Sequence, residues 1–285
     1  MSDRIWIALA IGNSRYHWAW FLNTQLQSSW DTAYLTIDRI DRMMSRTIEE
    51  KDCLELLPTN LQQAISARQI TIDRIPIYLS SVVSIQTEIW QQFSQVNQIT
   101  LADIPLLNLY PTLGIDRALS ILGAGENYGY PALVIDGGTA LTITGVDRDR
   151  RLYGGAIMPG LKLQLRSLSI GTAALPEIAI PSQLPARWSN QTEEAIASGV
   201  LHTISAGIGD FICDWERLFP ESKTIFTGGD GEILARYLQS ILPKYLADRV
   251  RFDRYLLFNG ILATIDPKHH KLLNLNIDRL LNNQS

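Results

Sequence analysis

"VIDGGTALTITGVD" spans residues 134–147 and places an acid, two glycines and a threonine at the end of an apolar run. Leu133, Val134 and Ile135 read as a buried strand, and Leu141, Ile143 and Val146 as its return in a hairpin. Two readings of the Asp136-Gly137-Gly138-Thr139 corner stay open. Asp-Gly between apolar runs is a hairpin turn signal. A polyphosphate site asks for the same residues, because glycine lets backbone approach an anion and threonine adds a hydroxyl donor.

Working outward, the N-terminal stretch has the same plan. Ile5 to Ile11 reads as a strand that ends in Gly12-Asn13-Ser14, and "RYHWAWFLN" (15–23) alternates as a second strand. The separation of the two units is far too long for a repeat array, so the pattern is a duplication on the scale of a domain. Helical segments follow in each half: Ile37 to Arg46 and Leu54 to Arg68, then Glu193 to Phe219 and Glu232 to Ser240. Short buried strands are expected at 75–82 and 223–229, each closing on small residues. Strands interleaved with helices give an α/β class of layered sheets. A boundary is expected near residues 110–130, dividing the chain into 1–120 and 121–285. The Pro-rich stretch 174–190 reads as a surface loop, and the tail 272–285 as a frayed end.

Composition narrows the function classes. The chain has 285 residues, 46% hydrophobic and 19% charged, with a net charge of −4. That balance offers no basic footprint for nucleic acid. Cys53 and Cys213 cannot build a disulfide framework and suit a reducing cytosol. The four histidines show no zinc spacing, and "KHHK" (268–271) reads as a surface turn. No run reaches the length of a membrane span, so a cytoplasmic protein that binds no membrane is expected. Trp6, Trp18, Trp20 and Trp30 read as core or interface packing. Cys213 falls on an expected apolar face with Ile208, Phe211, Ile212 and Trp215. His17 either faces the first turn or is a satisfied structural histidine.

Five stretches share glycine beside a hydroxyl or charged residue at the end of an apolar run: "AIGNSR" (10–15), "LGIDRA" (113–118), "IDGGTA" (135–140), "GGAIMPGL" (154–161) and "TGGDG" (227–231). Ligands of α/β folds gather at the carboxyl ends of strands. Asp116 beside Arg117 sets a candidate base next to a fixed cation, an arrangement suited to phosphoryl transfer onto an alcohol. The same aspartate also suits a helix N-terminus. Asp136, a carboxylate at a phosphate turn, would serve a cation, since bare negative charge there would repel the ligand.

Taken in order, these motifs resemble those of the type III pantothenate kinases, within the superfamily of acetate and sugar kinases, Hsp70 and actin. The resemblance runs from about residue 5 to residue 262. "AIGNSRYHWAW" is similar to the first phosphate motif, "LGIDR" to the Gly-x-Asp-Arg substrate motif, and "VIDGGTALTI" to the second phosphate motif. "GGAIMPGL", "TAALP", "NQTEEAIASG" and "TGGDG" then follow in family order. The resemblance implies duplicated ribonuclease-H-like, actin-like ATPase domains, each a mixed sheet flanked by helices. It implies ATP-dependent phosphorylation of pantothenate, the first step toward coenzyme A, in a transferase that forms a homodimer.

By motif match, Asp116 would be the general base. Gly114, Ile115, Arg117 and Thr192 would contact pantothenate, with Tyr110 as a replacement for a substrate-facing tyrosine. Gly12, Asn13, Ser14, Arg15, Gly138 and Thr139 would lie along ATP. Asp136 would hold a monovalent cation, K+ or NH4+, and Mg2+ would accompany the nucleotide. One departure stands out: the family's first motif begins with aspartate where this chain has Ala10. That substitution raises an alternative, a relative with reduced or no activity that binds nucleotide or pantothenate as a regulator. A kinase for another small alcohol is a third possibility.

Overall fold

The computed structural model describes residues 4–44, 56–220 and 222–265. Two compact units emerge, Met1–Ile104 with Pro111–Ala118 and Thr264–Ser285, and Pro105–Tyr110 with Leu119–Ala263.

The first unit carries β1 (Ile5–Ile11), β2 (Tyr16–Leu22), β3 (Gln25–Thr32), α1 (Ile37–Met44), α2 (Thr59–Arg68), β4 (Ile77–Ser81), α3 (Ser84–Trp90) and β5 (Val96–Gln98). Its sheet has the order β3-β2-β1-β4-β5. The first three strands form an antiparallel meander, and β4 and β5 join in parallel. All seven residues of β1 are buried. Ile5, Ile7, Leu9 and Ile11 pack into one core with Tyr16, Trp18, Trp20, Ile40, Leu61 and Trp90. On the opposite face Trp6 stacks on Phe21 with ring centroids 4.0 Å apart. The tryptophans are core side chains, as expected, and Trp30 stacks on Trp18 from a half-buried position.

After α4 (Ile115–Tyr128) the second unit repeats the plan with β6 (Ala132–Gly137), β7 (Ala140–Val146), β8 (Leu152–Pro159), α5 (Leu161–Gly171), α6 (Thr192–Leu218), β9 (Lys223–Thr227), α7 (Gly231–Ile241), α8 (Lys244–Ala247), β10 (Val250–Phe252) and α9 (Leu256–Ile265). Its sheet order is β10-β9-β6-β7-β8. Again three antiparallel strands come first, and two parallel strands add beside the first of them. The two sheets therefore share one strand order and one pattern of directions. This is the duplicated ribonuclease-H-like architecture of two mixed sheets flanked by helices.

Local chemistry adjusted several boundaries. The helix expected from Leu54 begins at Thr59 among the described residues, after Pro58 at its N-cap in an extended conformation; proline cannot donate to a preceding turn. Residues 53–55, the "KHHK" stretch and the tail 272–285 lie outside the described residues. Of the expected apolar face, Ile208, Ile212 and Trp215 are buried in the core and Cys213 packs against it partly buried, while Phe211 is 41% exposed and lies off that face. The buried stripe of α6 runs through Leu201, Ile204, Ile208, Ile212 and Trp215. α6 is long and apolar enough to cross a membrane by composition, yet half of its most apolar window is buried inside the fold.

Helices α4 and α9 meet backbone to backbone. A Cβ at Gly123 would lie 2.1 Å from the Leu256 carbonyl oxygen, and one at Gly260 would lie 2.0 Å from that of Leu119. No side chain fits at either position without separating the helices. Gly260→Ala should therefore lower the unfolding free energy by about 1–3 kcal/mol, as overpacking does. A urea titration checks this, and unchanged stability would contradict the close approach.

Candidate active site

In the first unit the site begins where β1 ends. The backbone N–H of Gly12 donates to the Arg15 carbonyl at 3.1 Å, closing a short turn, and the Tyr34 phenol donates to the Gly12 carbonyl. Asn13 and Ser14 at its tip are exposed and make no hydrogen bond among the described residues. Their N–H groups are thus available to an anion. Tyr16 leaves the turn into the core, where its phenol donates to Gln86. Burial pushes that phenol upward, so it stays a neutral donor.

Arg15 and His17 both reach Asp31 on β3. His17 Nδ1 lies 2.8 Å from Asp31 Oδ1, and Arg15 Nη1 lies 3.5 Å from Oδ2. Both of the readings held for His17 are realised: it has a carboxylate partner, and its Nε2 faces the turn, 3.4 Å from where a Cβ on Gly12 would sit. Ala10 is buried at 3% exposure and brings no polar group.

Asp116 lies in the first turn of α4. Its Oδ1 accepts the backbone N–H of Arg117 at 2.8 Å. A Cβ at Gly114 would sit 2.4 Å from that oxygen, so glycine is what lets the carboxylate fold back over the helix start. Oδ2 has no partner among the described residues. The helix-start reading therefore holds for one oxygen, while the other is free to accept a proton. Gly114 opens a helix and does not follow a strand, unlike the other glycine stretches. Ile115 and Arg117 are buried beside it.

In the second unit three glycine stretches expected separately are tied together. Asp136, near the end of β6, pairs with Thr227 of the parallel β9. The Asp230 N–H donates to the Gly137 carbonyl at 2.8 Å, and the Gly160 N–H to the Thr139 carbonyl at 2.9 Å. A Cβ on Gly160 would stand 2.2 Å from the Gly138 carbonyl oxygen. Gly228 takes a positive φ of 81°, and a Cβ there would fall 2.2 Å from Asp136 Oδ1. The loops leave the exposed Thr139 and its neighbour Gly138 without a donated hydrogen bond among the described residues. Asp230, buried at the start of α7, is matched by Lys162 Nζ at 2.7 Å. Tyr110 is 40% exposed, and Thr192 is the exposed first residue of α6.

The donor sets bear on nucleotide and metal. Each bare turn, taken by itself, has unspent N–H groups that suit a phosphate. No group of three or more His, Cys, Asp or Glu side chains gathers among the described residues. A cation here would rest on one carboxylate plus phosphate and backbone oxygens, which is how Mg2+ is commonly held beside nucleotides. Asp136, whose Oδ1 faces Gly228, offers one carboxylate in the second unit. Asp31, Tyr34, Lys162 and Asp230 were not singled out from sequence. Lys162 and Asp230 lie inside quoted motifs, but their pairing depends on a long-range loop contact.

A sequence profile described as type III pantothenate kinase matches residues 6–213. A type III pantothenate kinase of Nostoc sp. is 42% identical over 271 residues, covering 91% of this chain and 94% of that one. One from Synechocystis sp. is 40% identical over 260 residues, covering 90% and 89%. Among solved structures, a conserved Baf family protein from Campylobacter jejuni matches with a TM-score of 0.57 at 20% identity, over 95% of this chain and 99% of that one, which shows the fold. The chain belongs to the type III pantothenate kinase family.

Proposed function

We propose that this chain phosphorylates pantothenate at the expense of ATP, the first step toward coenzyme A, with Asp116 as the general base. One observation carries the chemical assignment: Asp116 has one oxygen pinned by the Arg117 N–H and the other without a partner among the described residues. A base needs a fixed position and an accessible lone pair, and this carboxylate has both. In the reaction the pantothenate hydroxyl oxygen attacks the γ-phosphorus while Asp116 accepts its proton. The bond from phosphorus to the β,γ-bridging oxygen breaks, and ADP leaves.

The remaining roles are carried over from the motif matches. Gly12, Asn13, Ser14 and Arg15 are assigned to ATP contacts in the first unit, and Gly138 and Thr139 in the second. Gly114, Ile115, Arg117, Thr192 and Tyr110 contact pantothenate. The positive charge of Arg117 beside the base favours an anionic substrate and the phosphoryl group in transfer. Asp136 takes a monovalent cation, K+ or NH4+, and Mg2+ comes with the nucleotide, where it neutralises phosphate charge. In functional terms the halves divide as 1–120 and 121–285. We place the protein in the cytoplasm as a homodimer that binds neither nucleic acid nor membrane. The exposed apolar side chains Tyr153 and Ile157 on β8 and Leu163 and Ile170 on α5 support self-association.

A purely regulatory relative is not favoured, because the family relatives are named as kinases and the base is present with a free oxygen. Purified protein with ATP, Mg2+ and K+ should consume ATP only when pantothenate is added; a panel of other small alcohols should give no comparable turnover. Asp116→Asn should lower kcat by about 10²- to 10⁴-fold, the usual loss on removing a general base, with ATP affinity nearly unchanged. Near-normal kcat in that variant would remove the assigned base. Replacing K+ by Na+ should abolish most turnover in the wild type. Asp136→Asn should be slow in both salts; K+ dependence retained in that variant would take the cation away from Asp136.

A further inference from the structure

One row of side chains crosses the first sheet at the level of the Gly12 turn. Ala10 is the register partner of Ser80 on β4 and of His17 on β2, and His17 is the partner of Asp31 on β3. Lateral partners project from the same face of a sheet. The row therefore reads hydroxyl, methyl, imidazole, carboxylate.

The imidazole is turned by its neighbours. Nδ1 is taken by Asp31 at 2.8 Å, while Nε2 has no partner among the described residues and faces Gly12. The His17 and Arg15 side chains are 42% and 55% exposed, so a ligand on the turn can reach both. A solvent-exposed pair of this kind adds little to stability. Its geometric content is the fixed direction of Nε2. With a methyl at position 10, no carboxylate of this row stands between that nitrogen and the turn; Asp31 lies on the far side of the ring.

We propose that His17 contacts the nucleotide: its Nε2–H donates to a phosphate oxygen of the ATP lying along Gly12–Ser14, and Asp31 is the positioning residue that holds Nδ1–H. The ring serves both partners in its doubly protonated form, in which each nitrogen is a donor. Where a carboxylate at position 10 would act on phosphate through a metal, this chain sets a cation directly against the anion. The inference rests on the reading of the Gly12 turn as a phosphate site.

Equilibrium binding of ATP, ADP and adenosine to the full chain, with Mg2+ present, tests it in the wild type, His17→Ala, His17→Gln and Asp31→Asn. His17→Ala should weaken ATP about 10- to 100-fold, the range expected for one charge-assisted hydrogen bond. ADP should weaken less and adenosine not at all. His17→Gln, which keeps an uncharged N–H donor, should recover part of the loss, and Asp31→Asn should fall between wild type and His17→Ala. Equal weakening of ATP and adenosine would reduce His17 to a structural role and overturn the proposal. So would unchanged ATP affinity in both His17 variants, with the phosphate reading of the turn left standing. A wild-type protein that binds none of the three would overturn both.

Discussion

Two strands fixed on both faces hold everything else in place. β1 is buried at all seven positions and β6 at five of six, and each is hydrogen-bonded on both edges. A slip of one residue in such a strand would turn its whole side-chain set over, so the position at which each strand stops is rigidly set. Both stop at glycine. The turns that follow cannot relax into longer strands or helices, and their N–H groups stay exposed at the carboxyl ends of their sheets. Those are the ends at which α/β folds gather ligands.

Much of this plan was legible in the sequence. The hairpin at 134–147 appears as β6 and β7, and its counterpart as β1 and β2, with tryptophans packed into the core as expected. The duplication, which rested on one strand–turn–strand resemblance, extends to the complete strand order of both sheets. Glycine motifs carried the site because close backbone approach leaves a compositional trace. At Gly114 the trace had a different cause: the glycine makes room for the Asp116 carboxylate itself.

Contacts set by register were not legible. Extrapolating from the Asn23–Thr24 turn, with Leu22 opposite Gln25, would set Trp30 opposite His17. An irregularity at Trp20/Phe21 shifts the pairing by one residue and brings Asp31 there instead. A β-bulge re-aims side chains without a clear signature in composition. The Lys162–Asp230 pair was hidden for a related reason, since it joins loops 68 residues apart in sequence (162 to 230) that meet only once both sheets are built. Ala10, legible as a departure, gains its meaning only from the lateral neighbours that the register supplies.

The central claim is that the unspent N–H groups of each glycine turn bind phosphate. Backbone amide chemical shifts recorded during titration with a non-hydrolysable ATP analogue and Mg2+ test it most directly. The account predicts that the amides of Asn13 and Ser14 move in the first unit and those of Gly138 and Thr139 in the second. Saturation of the protein with either turn left unperturbed would contradict it.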